Sequence, residues 1–301
     1  MLDAILSTQE VSALLNVTET TVKRWADEGK IPCSKTLGGH RKFSIRDIVQ
    51  FAEKHSYTIS GTLAPPLRAK QMEQLEFSVQ TRNYRRISAI LLEELLEVDR
   101  EGLSALLLYL AKHHIPLPAM IDEVVRPALV EIGERWSRGE LSVEQEHRST
   151  QAFLEAFVRV APELHRKPSN GLDVVLACPE GELHEVGLRS LSYAFEAEGW
   201  TTHYVGANTP VDSIIDAIRS NEADLVCLSF TIPPDDRSFI DAIRRVATGA
   251  HSAKAKLLVG GFYVGSYVEQ DLDCDHIALS VTDAVQYARD AFALRPGPKR
   301  K

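Results

Sequence analysis

The sequence predicts a multidomain α and α/β protein: an N-terminal winged helix-turn-helix, a four-helix bundle, and a C-terminal doubly wound parallel sheet. Three changes of rhythm along its 301 residues lead to this expectation. Residues 1–56 join short amphipathic stretches to a basic segment with a glycine turn. Residues 69–168 repeat leucines at helical spacing, and residues 169–301 alternate short apolar runs with amphipathic ones. Between the first two regions, residues 57–68 hold Gly61 and the Pro65-Pro66 pair, which suit neither helix nor strand and mark a linker.

The first region starts with STQEVSALLNV. Ser7 and Glu10 have the spacing of a capping box, and Val11, Leu14 and Leu15 form an apolar face. A second helix is expected from Thr18 to Asp27 or Glu28, with Val22 and Trp25 inward, until Gly29 stops it. IPCSKTLGGHRKFS then suits a hairpin turning at Gly38-Gly39, and IRDIVQFAEKH a third helix. Helix, tight turn, helix and basic hairpin is the order of a winged helix-turn-helix.

Charge supports that reading locally. The chain as a whole carries −8, which argues against indiscriminate coating of nucleic acid. Between Lys23 and Arg46, however, seven basic residues (Lys23, Arg24, Lys30, Lys35, Arg41, Lys42, Arg46) face two acidic ones (Asp27, Glu28), and 7 − 2 leaves +5. This is a phosphate footprint. Thr20, Thr21, Lys23 and Arg24 are the candidates for a DNA groove, with His40, Arg41 and Lys42 in the wing. A domain this small grips few phosphates, so double-stranded operator DNA is expected to be bound by a homo-oligomer on repeated sites.

In the second region, helices are expected at 69–80, 84–97, 101–113, 117–137 and 142–165. Leu91, Leu92, Leu95, Leu96, Leu103, Leu106, Leu107 and Leu110 give the stripes of a bundle. Gly139 stops one helix, and Ser142 with Gln145 starts the next, so Trp136 and the pair Glu146-His147 meet at one end of a helical hairpin.

The third region reads as five strands (DVVLACP, THYVGANTP, DLVCLSFT, KLLVGGFYV, HIALS) with helices expected at 183–198, in VDSIIDAIRS, and at 235–247 and 282–293. Ligands of such sheets bind beyond the carboxyl ends of the strands. Glu182, His184 and Gly187 follow the first strand, Ser229 and Thr231 the third, and Gly260-Gly261 the fourth. Cys33, Cys178, Cys227 and Cys274 are scattered without a CxxC pair, as expected of reduced thiols in a cytoplasmic protein. Neither a membrane-spanning run nor a secretion signal is read.

These motifs resemble known families. GGHRKF behind two short helices resembles the DNA-binding domains of the MerR and excisionase families. The set DxHxxG, SxL or SxT, and GG on successive strand ends resembles the flavodoxin-like cobalamin-binding domain of methionine synthase and the coenzyme-dependent mutases, with Glu182 here where Asp is usual. That resemblance implies His184 as the lower axial ligand of cobalt, oriented by Glu182. It also implies that Gly187 admits the corrin, and that Ser229 with Gly260-Gly261 leaves a slot for the nucleotide tail. The three-part order, with W-x9-EH at Trp136 and Glu146-His147, is similar to the CarH and LitR family of light-sensing repressors. The family implies adenosylcobalamin enclosed by Trp136, Glu146 and His147, a dark tetramer on DNA, and release on illumination. Ser137 departs from it, because family members carry there a His that captures cobalt after photolysis; His147, His113 and His114 are the alternative imidazoles. Two other readings stand beside it: a DNA-binding regulator that senses cobalamin or another small ligand without a photoresponse, and a methylcobalamin methyl-transfer protein.

Overall fold

The computed structural model describes residues 5–36, 38–55, 57, 69–231, 236–267 and 269–293. Apart from Tyr57, the expected linker lies outside them. The chain divides into two compact units, Met1–Gln74 and Leu75–Lys301.

The first unit contains β1 (Ile5–Ser7), α1 (Thr8–Leu14), α2 (Glu19–Asp27), β2 (Ser34–Lys35), β3 (Arg41–Ser44) and α3 (Ile45–His55). Its caps are those expected. Ser7 and Glu10 exchange backbone-to-side-chain bonds, Thr18 Oγ1 accepts from Thr21 N at 3.2 Å, and Gly29 takes the left-handed φ of +68° that ends α2. The hairpin β2–β3 forms, and β1, which the sequence did not reveal, adds to its other side in the order β1-β3-β2. Val22, Trp25, Phe43, Ile48 and Phe51 are buried together, with the Trp25 ring 4.8 Å from Phe51. Burial of each such side chain stabilises by about 1.5–3 kcal/mol.

The chain enters the second unit along α4 (Ala69–Gln80), followed by α5 (Tyr84–Glu97), α6 (Arg100–Lys112), α7 (Leu117–Ala119), α8 (Arg126–Ser137) and α9 (Val143–Val160). The single helix expected at 117–137 is not continuous. Met120–Val125 form a π-helical turn between α7 and α8. Helix α9 stops at Val160, and a 3-10 turn at Ala161–Glu163 takes the rest of the expected span. Leu91, Leu95, Leu103, Leu106, Leu107 and Leu110 are buried in the bundle, as their spacing required.

The sheet domain holds β4 (Asp173–Pro179), α10 (Val186–Ala197), β5 (Thr201–Thr209), α11 (Val211–Ser220), β6 (Leu225–Ser229), α12 (Asp236–Ser252), β7 (Lys256–Gly260), α13 (Glu269–Leu272), β8 (His276–Ala278) and α14 (Val281–Phe292). Its five strands are parallel, in the order β5-β4-β6-β7-β8. Helices α10 and α14 pack together, as do α11 and α12, so the sheet is doubly wound. The strand order reverses between β4 and β6, which makes their carboxyl ends the switch point where ligands of open α/β sheets bind. Burial pushes the Cys178 thiol up to about 12 and raises that of Cys227 further, so both act as small apolar core groups. No helix among the described residues is long and apolar enough to cross a membrane.

Candidate functional site

The β4–α10 loop is built around a buried carboxylate. Glu182 is 1% exposed, and its Oε1 accepts from both the backbone N–H and the Nδ1 of His184, at 2.7 and 2.6 Å. Its Oε2 accepts from the backbone N–H of Thr231, 2.6 Å away beyond β6. One side chain therefore ties the two strands of the switch point together. With Nδ1 the donor, the tautomer is set and Nε2 is left with its lone pair. No hydrogen bond among the described residues takes Nε2, and 55% of the side chain is exposed.

Neighbouring groups hold the loop. Asn208, at φ +50°, accepts the Gly181 N–H on its side chain and gives its own N–H to the Glu182 carbonyl. Tyr204 donates to Glu185 at 2.7 Å, and Arg189 lies 3.6 Å over the Tyr204 ring. Burial, and then the bond to Glu185, push the Tyr204 hydroxyl well above its usual range, so it remains a donor. A Cβ on Gly187 would meet nothing within 4 Å, whereas one on Gly261, at φ +111°, would run into the Phe230 carbonyl. Gly261 thus serves the close approach of two backbones, and Gly187 keeps a surface low. Ser229 is nearly buried at the end of β6.

Three further residues stand out only in the structure. Leu183, Phe262 and Leu279 are large exposed apolar side chains in the connections that follow β4, β7 and β8. Their signal was a lone apolar residue next to each motif, too common to single out.

In the bundle, Gly139 (φ +74°) and the Ser142–Gln145 capping box form the expected turn. Trp136 ends α8 at 47% exposed. Glu146 accepts from Thr150 Oγ1 at 2.9 Å, and the His147 side chain is 71% exposed beside it. The other two imidazoles are elsewhere. Leu96, Glu97 and Val98 share a small cavity with Leu141, Gln145, Arg148 and Ser149, so the α5–α6 and α8–α9 turns lie at one end of the bundle. His113 and His114 end α6, roughly 18 Å away at 1.5 Å per residue. His113 also gives its Nδ1 to the Tyr109 carbonyl at 2.8 Å. Ser137 donates its hydroxyl to the Glu134 carbonyl.

In the first unit, α2 exposes Thr20, Lys23 and Arg24. Thr21 is half-buried and bonded to the Thr18 hydroxyl, so it belongs to the cap more than to the outer face. Lys23 pairs with Glu19, while Arg24 has no ion pair among the described residues. Arg41 is placed least like a free phosphate contact. It shares the face of β3 that buries Phe43, is only 19% exposed, and pairs with Asp27 at 2.6 Å, tying the wing to α2. Lys42 lies on the opposite face of β3, and His40 is exposed at the turn.

Comparison with known proteins matches this division. A helix-turn-helix domain model matches residues 5–56, and two B12 binding domain models match residues 88–160 and 172–292. The repressor CarH of Myxococcus xanthus is 28% identical over 77% of this chain and 81% of its own. The repressor CarA of the same organism is 25% identical over 80% and 83%. In fold, the monomethylamine corrinoid protein of Methanosarcina barkeri superposes on 67% of this chain and 96% of its own, with a TM-score of 0.57 at 17% identity.

The chain is a cobalamin-binding transcriptional regulator similar to CarH and CarA. It joins a helix-turn-helix domain to two B12 binding domains, and the relatives it matches over most of their length are transcriptional repressors, which makes it a regulator and not an enzyme. Its own residues fit a corrinoid. An imidazole with a fixed tautomer and an outward lone pair is a good donor for cobalt, and exposed apolar side chains share its edge of the sheet. The Ser190 hydroxyl, buried in α10, has no partner among the described residues.

Proposed function

We propose that this regulator is a light-responsive repressor that holds double-stranded operator DNA as a homo-oligomer, a tetramer in the dark, and releases it on illumination. Bound adenosylcobalamin supplies the light-sensitive element, a cobalt–carbon bond. His184 would hold the cobalt through Nε2, and Glu182 keeps the ring in register through Nδ1 while Thr231 N–H fixes Glu182. Leu183, Phe262 and Leu279 form an apolar floor. Gly187 leaves room for the corrin, and Ser229 with Gly260-Gly261 borders the slot for its tail. At the end of the helical hairpin, Trp136 would pack on the adenine, Glu146 would bind the ribose hydroxyls, and His147 would close the same end. In the cytoplasm, where we place the protein, the DNA partner is directly reachable. Thr20, Lys23 and Arg24 meet the groove, Lys42 and His40 meet phosphates, and Arg41 and Thr21 hold those elements in place.

The clamp of Glu182 between His184 Nδ1 and Thr231 N–H carries this reading, because a buried carboxylate that orients an exposed imidazole is the second shell of a metal ligand. The test is an absorbance spectrum of the full-length protein with adenosylcobalamin, kept dark and then lit with green light, alongside size-exclusion and operator-binding measurements. A corrinoid spectrum that changes on illumination, with loss of tetramer and of DNA, is the expected result. Protein that emerges without corrinoid ends the proposal. A second reading, cofactor sensing without light, is favoured by Ser137, whose hydroxyl is a poor cobalt ligand and is bonded to its own helix. Its signature is DNA binding that follows cofactor concentration and ignores illumination.

A further inference from the structure

The π-helical turn Met120–Val125 plays no part in the site as described so far. Such turns are uncommon and cluster at functional positions, since a wider turn redirects side chains at a cost in hydrogen-bond geometry. Here the redirected residue is Asp122, a carboxylate only 5% exposed. Its two oxygens accept from the N–H groups of Val281 and Thr282 at 2.9 and 2.8 Å. These are the opening amides of α14, which lack partners within the helix, and negative charge is favoured at that end. One turn later, Arg126 Nη1 donates to the Leu279 carbonyl at 3.0 Å. Three hydrogen bonds therefore join the π-helical turn and the start of α8 to the β8–α14 turn, across 153 to 160 residues of sequence, at the sheet edge that bears His184.

Dimensions give the joint its meaning. Trp136 lies ten residues beyond Arg126 along α8, about 15 Å at the helical rise. From β8 to β4 there are three strand spacings, about 14 Å. A helix anchored at β8 is long enough to bring its far end back over the strand whose loop bears His184.

We infer that Asp122 and Arg126 are positioning residues that set where Trp136 stands over the carboxyl ends of the strands, and so select corrinoids with a bulky upper group. This rests on the cobalamin reading proposed above. It differs from a structural brace, which would support every corrinoid equally, because the joint acts only on the upper wall.

The test titrates full-length wild type, Asp122→Asn and Arg126→Ala with adenosylcobalamin and with hydroxocobalamin in the dark, followed by absorbance, with a thermal melt of each apoprotein. Both variants should bind adenosylcobalamin roughly 10-fold more weakly and hydroxocobalamin within about 2-fold of wild type, the range for losing bonds to charged groups. Equal weakening for both corrinoids, or for neither, overturns the inference. If wild type binds neither corrinoid, the cobalamin reading itself fails instead. Should Asp122→Asn fail to fold, Arg126→Ala, whose residue is exposed, decides the question alone.

Discussion

His184 and Trp136 are the two residues on which the site is expected to close, and the protein holds them in opposite ways. The imidazole is fixed through one nitrogen by a carboxylate with both oxygens engaged, itself bound to a second strand end. The indole stands half-exposed at a helix end, next to an imidazole that is more exposed still. The lower residue is organised before any ligand arrives, at the expense of burying a charge that only full hydrogen bonding makes tolerable. The upper group keeps apolar surface in water, which favours whatever covers it. On the proposed reading, a lower wall built for retention and an upper wall that answers to the ligand's upper group would suit a sensor.

The largest expected effect breaks the lower wall. His184→Ala should lower affinity for adenosylcobalamin and hydroxocobalamin alike, by on the order of 100-fold, and Glu182→Ala by about 10–100-fold through loss of orientation. Corrinoid titration checks both, and a variant that binds as wild type removes the residue from the site. Next is the upper wall. Trp136→Ala should cost adenosylcobalamin roughly 10-fold, the contribution of one stacked aromatic, and leave hydroxocobalamin nearly unchanged.

A smaller pair of effects carries the contrast into the DNA-binding unit. Lys42→Ala should weaken binding to all duplexes, reduce the slope of log affinity against log salt by about one, and leave the melting temperature unchanged. Arg41→Ala should instead lower the melting temperature through loss of a pair worth at most about 1 kcal/mol, and weaken DNA binding through a misplaced wing. If Arg41→Ala reduces the salt slope at an unchanged melting temperature, Arg41 is a phosphate contact after all.

The smallest effect lies away from the site. Burial alone would raise the Asp275 carboxyl, but the Leu257 N–H, Lys256 and His251 outweigh it and hold it below the usual carboxylate range. A carboxyl with a lowered folded pKa contributes stability above its unfolded value, about 4, and loses it as pH falls through the folded pKa. The stability difference between wild type and Asp275→Asn, measured by urea unfolding, should therefore be complete at neutral pH and shrink on acidification below that value.

Much of the fold was legible because short-range chemistry fixes it. Ser7 with Glu10, Thr18, Gly29, Gly139, and Ser142 with Gln145 mark helix ends through bonds to residues at most four positions away. Alternation of strand and helix gave the parallel sheet, and with it the edge where His184 and Glu182 stand. The role of Arg41 was not legible, because a cation in a basic hairpin looks the same whether it meets phosphate or, as here, Asp27. The three imidazoles likewise looked equivalent until the bundle placed two of them at its other end.

By itself the sequence determined the three kinds of structure, their order, and the pairing of an imidazole with a carboxylate two residues before it, since each depends on neighbours along the chain. Tertiary structure alone decided that Thr231 anchors Glu182, that Asp122 caps a helix roughly 150 residues away, and that Arg41 faces inward. The reason is physical. A carboxylate has acceptor capacity in two directions, and which distant amides fill it depends on the register in which separate elements pack, which no local pattern encodes.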